Sequence, residues 1–389
     1  MTMQPTIVVV AYNRSLSLKR LLNSLGNADY GVYNDINLII SIDKSGSNEV
    51  ILTANKFEWK NGKKIIIQHP ANLGLRNHII SCGDLTKEYD SVIILEDDLF
   101  VSPQFYKYSI QALEFYKDDP QIAGISLYTY RVNAIANLFF LPIEDGYDNY
   151  FIQFASSLGQ IWTRTQWQGF KNWYAKNQII PENISIPISV RNWSKQSWKK
   201  YYIAYLVSAN KYFVFPRISL TTNFSSDAGT HLSKMMNNNF QVPLLLRQKI
   251  FNLSAFDESV AVYDAYFEIK GYCIKILNNE LNEFDFECDF YGTKQQSQIS
   301  TAFLISIRNC KNPLLTFGLF QIPLELNVIF NQFGNDITLS QKENFNILSA
   351  EKRNLIATNL HYKFRLKYYF IQLYFALKER ISHLLHNFN

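Results

Sequence analysis

Five short apolar runs, separated by segments of helical periodicity, constrain this chain more than any other feature. Thr6–Tyr12 (TIVVVAY) is dominated by β-branched residues, the pattern of a strand buried on both faces of a parallel sheet. Leu18, Leu21, Leu22 and Leu25 follow at helical spacing, with Asn13 or Ser15 placed to cap the start. Ile36–Ile42, Lys64–Gln68 and Ser91–Leu95 read as further strands, and Gln121–Tyr128 as the fifth. Helices fit from about Leu75 to Lys87 and from Pro103 to about Tyr116. Strands alternating with helices predict an α/β fold built on a Rossmann-like, mostly parallel sheet with right-handed crossovers.

Composition narrows the class. With 29 Phe and 24 Tyr in 389 residues, the chain is too aromatic to stay solvated and disordered. A net charge of +5 suits an anionic small molecule or a membrane surface, and is too small to imply nucleic acid. Cys82, Cys273, Cys288 and Cys310 form no CxxC pair, which argues against zinc and for a reducing compartment, the cytoplasm. The first residues carry no positive charge ahead of a short apolar run, so a signal peptide is not expected. No stretch approaches the roughly 20 apolar residues of a spanning helix.

The pattern changes along the chain. Residues 129–230 are less regular and hold Trp162, Trp167, Trp173, Trp193 and Trp198, which suit either a core or a sugar-stacking cleft. Beyond about 270, Ile299–Arg308, Leu314–Ile322 and Leu324–Phe330 read as strands of a small β-rich appendage. The expected organisation is a catalytic domain over 1–265, a β-rich accessory region over 266–350 and a basic, aromatic helix over 351–389. In that last segment Phe370, Ile371, Tyr374, Leu377, Ile381, Leu384 and Leu385 share one helical face. Lys363, Arg365, Lys367, Lys378 and Arg380 supply charge, so the segment could lie on an anionic membrane surface or pack on protein.

Ligands of such sheets bind at the carboxyl ends of the strands. Those ends carry Asn13-Arg14, Asp43-Lys44 and Glu96-Asp97-Asp98. Neither GxGxxG nor a P-loop is present, so a diphosphate here needs another counter-charge. Three adjacent carboxylates could supply it by holding Mg²⁺ or Mn²⁺, hard cations that keep waters and bind substrate phosphates. The competing reading is a solvated acidic loop.

The ordered set VVVAYNR, IISID, HPANLGLRNHI and VIILEDDLFVSPQFYKY resembles nucleotide-sugar glycosyltransferases of the glycosyltransferase A fold. Within them it is most similar to the N-acetylglucosaminyltransferase I branch and its bacterial relatives, in which EDD replaces the usual DXD. The likeness is strong over about 5–128 and weaker through SSLGQIWTRTQW (156–167) and PRISLTTNFSSDAGTH (216–231). It implies a metal-dependent, inverting transfer of a hexosyl or N-acetylhexosaminyl group. The donor would be a nucleotide sugar, the acceptor a glycan or lipid-linked glycan, and the setting bacterial surface-polysaccharide synthesis. Carried over, it places Asn13 and Arg14 against the nucleotide, with the Arg near the diphosphate. Asp43 would accept from the base, as expected for uracil N3–H, and His78 would reach the nucleoside. Asp98 would ligate Mn²⁺ or Mg²⁺ directly, Asp97 would lie near the ribose and metal waters, and His231 near a loop over the donor.

One departure from that family matters. The stretch that should supply the general base, NWSKQSWKKYYIAYL (192–206), contains no acid. Asp227 in SSDAGTH is the replacement candidate, with Glu182 and Asp148 behind it. The missing base also keeps open a catalytically inactive glycan-binding module. A sugar nucleotidyltransferase is the other alternative, although AYNRSLSLKR lacks the glycines its first loop needs.

Overall fold

The computed structural model describes residues 3–224, 240–346 and 348. The chain opens with β1 (Thr6–Ala11), α1 (Ser15–Gly26), β2 (Leu38–Ile42), α2 (Glu49–Lys56), β3 (Lys64–Gln68), α3 (Gly74–Asp84), a single turn α4 (Thr86–Tyr89) and β4 (Ser91–Glu96). β5 (Leu99–Val101), α5 (Phe105–Tyr116) and β6 (Ile122–Ser126) follow, then a short hairpin, β7 (Val132–Asn133) and β8 (Leu138–Phe139). Next come β9 (Asn149–Ile152), β10 (Gln160–Thr163), α6 (Arg164–Lys176), α7 (Ile188–Arg191), α8 (Lys199–Ser208), β11 (Tyr212–Pro216), β12 (Thr221–Asn223) and β13 (Val262–Tyr263).

Nine of these strands form one mixed sheet in the order β13-β9-β11-β6-β10-β4-β1-β2-β3. Its parallel half is dictated by the apolar runs: every residue of β1 and β2 is buried, so both faces must be covered by helices. α1 answers from one side with Leu18, Leu21, Leu22 and Leu25, all interior. β10 is antiparallel to both β4 and β6, with Gln160 opposite Ile94 and Ser126. That insertion brings the start of β10 to the edge where β1, β2, β4 and β6 end.

The accessory region consists of α9 (Gly271–Leu277), β14 (Phe286–Asp289), β15 (Phe303–Ser306), β16 (Leu315–Phe317), α10 (Leu326–Ile329) and β17 (Ile337–Gln341), its strands ordered β14-β15-β17-β16. It shares an apolar core with the large sheet, and polar contacts tie the two together. Lys294 reaches Asp264 at 2.7 Å and Glu287 at 2.9 Å, and the Tyr263 hydroxyl donates to Glu325 at 2.8 Å.

Three readings from the sequence are corrected. Leu324–Phe330 is no strand but a helical turn, because Leu324 and Val328, four apart, both turn inward. The Asn327 side chain fixes that turn, accepting from the Phe320 and Gln321 amides and donating to the Gln321 and Leu324 carbonyls. The two expected strands before it shrink to Phe303–Ser306 and Leu315–Phe317. The short amphipathic helix α2, with Val50 and Ala54 inward, went unread between β2 and β3. As for the tryptophans, Trp162, Trp167 and Trp198 are interior and pack around Tyr202, so they build core; Trp173 and Trp193 are only partly buried.

Candidate active site

The carboxyl edge of the parallel half gathers most of the singled-out residues. Arg14 stands between the end of β1 and the first turn of α1, where its side chain crosses to the loop after β4. Its Nη2 pairs with Asp97 Oδ1, and its Nη1 with Asp98 Oδ2 at 3.1 Å. The backbone holds this loop in place: the Asp97 amide donates to the Val10 carbonyl at 3.0 Å, and the Phe224 amide to the Asp98 carbonyl at 2.9 Å. Asp97 is buried and Asp98 partly open.

The electrostatics are those of a compensated acid cluster. Burial, abetted by the Asp98 charge, pushes the Asp97 carboxyl up to about 6 against the pull of Arg14. Burial and the two aspartates also raise Glu96 well above the usual carboxylate range. For Arg14, burial disfavours the charge, but Asp97 and Asp98 outweigh it and the guanidinium is held more firmly protonated. Because the folded chain keeps the Asp97 proton more tightly than its ordinary 3.8, folded stability declines as pH rises from about 4 to 6. The cost is on the order of 3 kcal/mol, and a cation on the carboxylates would offset it.

Among the described residues no three His, Cys, Asp or Glu side chains converge as a metal cage. An oxygen-only pair of aspartates suits Mg²⁺ or Mn²⁺, which fill the rest of their shell with water and phosphate oxygens. The donor set is chemically compatible with the expected metal, and Asp98 is the more open of the two carboxylates.

Asp43, at the end of β2, is buried and does structural work as well. Its Oδ1 accepts from the Lys44 and Leu73 amides at 2.9 and 2.8 Å, and its Oδ2 from the Gly74 amide at 3.0 Å. Three of roughly four lone-pair positions are thus occupied, and one on Oδ2 remains for a ligand. Gly74 has φ +70°, and a Cβ there would lie 2.9 Å from Gln196 Oε1. Glycine therefore lets the segment before α8 approach the start of α3. His78 is buried to the same extent, its Nε2 2.8 Å from the Ser41 hydroxyl, which is also 3.0 Å from His69 Nε2. Burial and the neighbouring His69 lower its pKa to about 4, leaving it neutral. Asn13 is exposed beside Arg14. Asp227 and His231 lie outside the described residues.

Residues 6–153 match the family described as glycosyl transferase family 2. This segment runs from β1 through β9 and contains Arg14, Asp43, Asp97 and Asp98. Similar solved structures include residues 1–349 of TarS from S. aureus, at 13% identity over 56% of this chain and 59% of that one, with a TM-score of 0.35. A TarS 1–349 structure in complex with UDP matches with the same values. The mannosyltransferase PcManGT from Pyrobaculum calidifontis, in complex with GDP-Man and Mn²⁺, matches at 10% identity over 47% of this chain and 49% of that one, with a TM-score of 0.30. The chain thus spans less than two thirds of the structures it matches. No curated protein matches the sequence.

Other residues of this edge escaped the sequence reading. Lys199, the first residue of α8, occupies the acid-free stretch. Its ammonium is 3.1 Å from the Tyr130 hydroxyl and stands 4.7 Å from the Phe154 ring centre and 5.4 Å from that of Trp193. Burial pulls it down to about 8, against the opposing pull of Glu96. Arg20 lies 4.4 Å from the Phe224 ring and within the field of Asp98, and burial lowers its pKa. The other two base candidates fare unequally. Asp148 pairs with Lys249 at 2.8 Å and accepts from the Asn252 amide at 2.9 Å. It precedes β9, four strands and about 19 Å from β4. Glu182 is exposed on the loop after α6.

Proposed function

We propose that this chain transfers a sugar from a UDP-sugar to a hydroxyl of a glycan or lipid-linked glycan, with inversion and with a divalent cation. The observation that carries the reading is the Arg14 fork across Asp97 and Asp98, one strand from Asp43, at the carboxyl edge of the sheet. A cation on Asp98 would supply Lewis-acid charge to the departing diphosphate. Arg14, already fully charged, is placed to share that anion; Asp43 offers its remaining lone pair to the base, which favours uracil. Asn13 and His78 flank the nucleotide, and His231 follows in the donor-covering segment.

Asp227 is the general base of this reading. Phe224, three residues before Asp227 in the sequence, donates its amide to the Asp98 carbonyl, which favours this choice. The EDD triplet supports an N-acetylglucosaminyltransferase I-like branch and a role in bacterial surface-polysaccharide synthesis. No helix among the described residues is long and apolar enough to cross a membrane. The basic segment 351–389, outside those residues, supports a cytoplasmic enzyme held peripherally at the inner membrane face.

Calorimetric titration with UDP, CDP and GDP, with and without Mn²⁺, tests this reading. UDP should bind tightest and need Mn²⁺ at pH 7.5. At pH 5, below the Asp97 value of about 6, proton competition should remove most of the Mn²⁺ effect. Equal affinity for the three nucleotides, or binding indifferent to Mn²⁺, discards it.

A further inference from the structure

The accessory region carries a surface that sugar transfer does not use. Between β16 and β17 the chain makes an excursion, residues 318–336, whose two arms are tied together. The Gly318 amide donates to the Gln332 carbonyl at 2.7 Å, and the Gln332 amide to the Asn327 carbonyl at 2.9 Å. The Asn327 side chain braces the turn between them. A Cβ on Gly334 would run into the Gly318 backbone, so only glycine lets the arms meet. The excursion is firmly built, yet it turns its largest apolar side chains outward. Phe333 is 94% exposed, Phe320 73% and Phe330 59%, and Ile322 is exposed as well.

These side chains are neighbours. The Phe320 ring lies across Gly318, where the Phe333 carbonyl also approaches. Together the three rings leave on the order of 400 Å² of apolar surface in water, a patch of the size that is often functional.

Charge, shape and chain direction indicate what covers it. From Phe290 to Asn335 the sequence has a single acid, Glu325, and that residue is interior and accepts from the Tyr263 hydroxyl. Glu280, bonded to Asn331 at 3.0 Å, is an acid at the border. The patch itself is uncharged, so entering an apolar phase strips no ion of its water. A ring as free-standing as Phe333 would need a protein partner shaped closely around it. Lipid closes round such a ring without prior fit. The chain also departs from this unit: Leu348 lies against Gly292, just after β14, and the basic stretch 351–389 follows.

We propose that Phe320, Ile322, Phe330 and Phe333 insert into the interfacial layer of a lipid bilayer, a second membrane contact in addition to the basic segment. This contact rests on the peripheral-membrane reading above. The two differ in physics. Attraction of basic residues to anionic headgroups is screened by salt, whereas burial of phenylalanine is not.

The test is sedimentation of the full chain with vesicles of phosphatidylcholine and phosphatidylglycerol, at ionic strengths of about 0.1 M and about 0.5 M. A Phe320→Ser/Phe333→Ser double variant is run beside the parent. The parent should bind at both salt levels. The variant should bind about tenfold or more weakly at low salt and fall to background at high salt. Its melting temperature and its release of UDP from a UDP-sugar in solution should match the parent's, because both side chains stand in water. Equal binding by parent and variant at both salt levels overturns the patch and leaves the peripheral reading standing. A parent that does not sediment with vesicles at all removes both. A parent that is dimeric without lipid, beside a monomeric variant, assigns the patch to a second copy and overturns the lipid contact. A variant that melts well below the parent yet binds vesicles equally also overturns it, because the patch is then covered by the chain itself.

Discussion

Asp98→Asn is expected to lower sugar transfer at least about a hundredfold while leaving the melting temperature essentially unchanged. The rate loss follows from the role: charge on the leaving diphosphate is worth several kcal/mol in the transition state, and each 1.4 kcal/mol is a factor of ten. The unchanged fold follows from the surroundings. Asp98 is partly open, and the Phe224 amide bonds its backbone carbonyl, which Asn retains. The substitution also removes one of two repelling charges, easing the ionisation of Asp97. Initial rates beside a thermal melt decide it; a rate near the parent's removes Asp98 from the metal.

Asp227→Asn should cut kcat by roughly 10²–10⁴ with UDP affinity retained, the signature of a lost proton acceptor. The expectation comes from exclusion. The stretch that should hold the base presents Lys199, whose ammonium is enclosed by aromatic rings. Asp43 is held by three backbone amides, with its remaining lone pair assigned to the base, and Asp97 is paired with Arg14. Asp148 is four strands away and paired. Full activity in single-turnover kinetics would send the search to the exposed Glu182.

Much of the carboxyl edge of the sheet was legible because its parts are local. An apolar β-branched run followed by polar residues marks a strand end, and β1, β2, β3 and β4 fell where those runs predict. Arg14, Asp43 and the EDD triplet could be placed from that alone. What escaped depends on pairing that no local pattern carries. Gln160 and Glu96 share a face only because β10 inserts antiparallel between β4 and β6, and Lys199 joins them because Trp198 packs beneath β10. The turn at Leu326–Ile329 was misread for a related reason: an apolar run this short suits strand or helix equally until its neighbours choose which residues turn inward.

The product released from the donor is the most direct test of sugar transfer. With UDP-sugars and Mn²⁺, free UDP should form with acceptor, and more slowly with water, and should be lost on chelation of the metal. Release of pyrophosphate, or no cleavage of any UDP-sugar with Mn²⁺ present, contradicts sugar transfer.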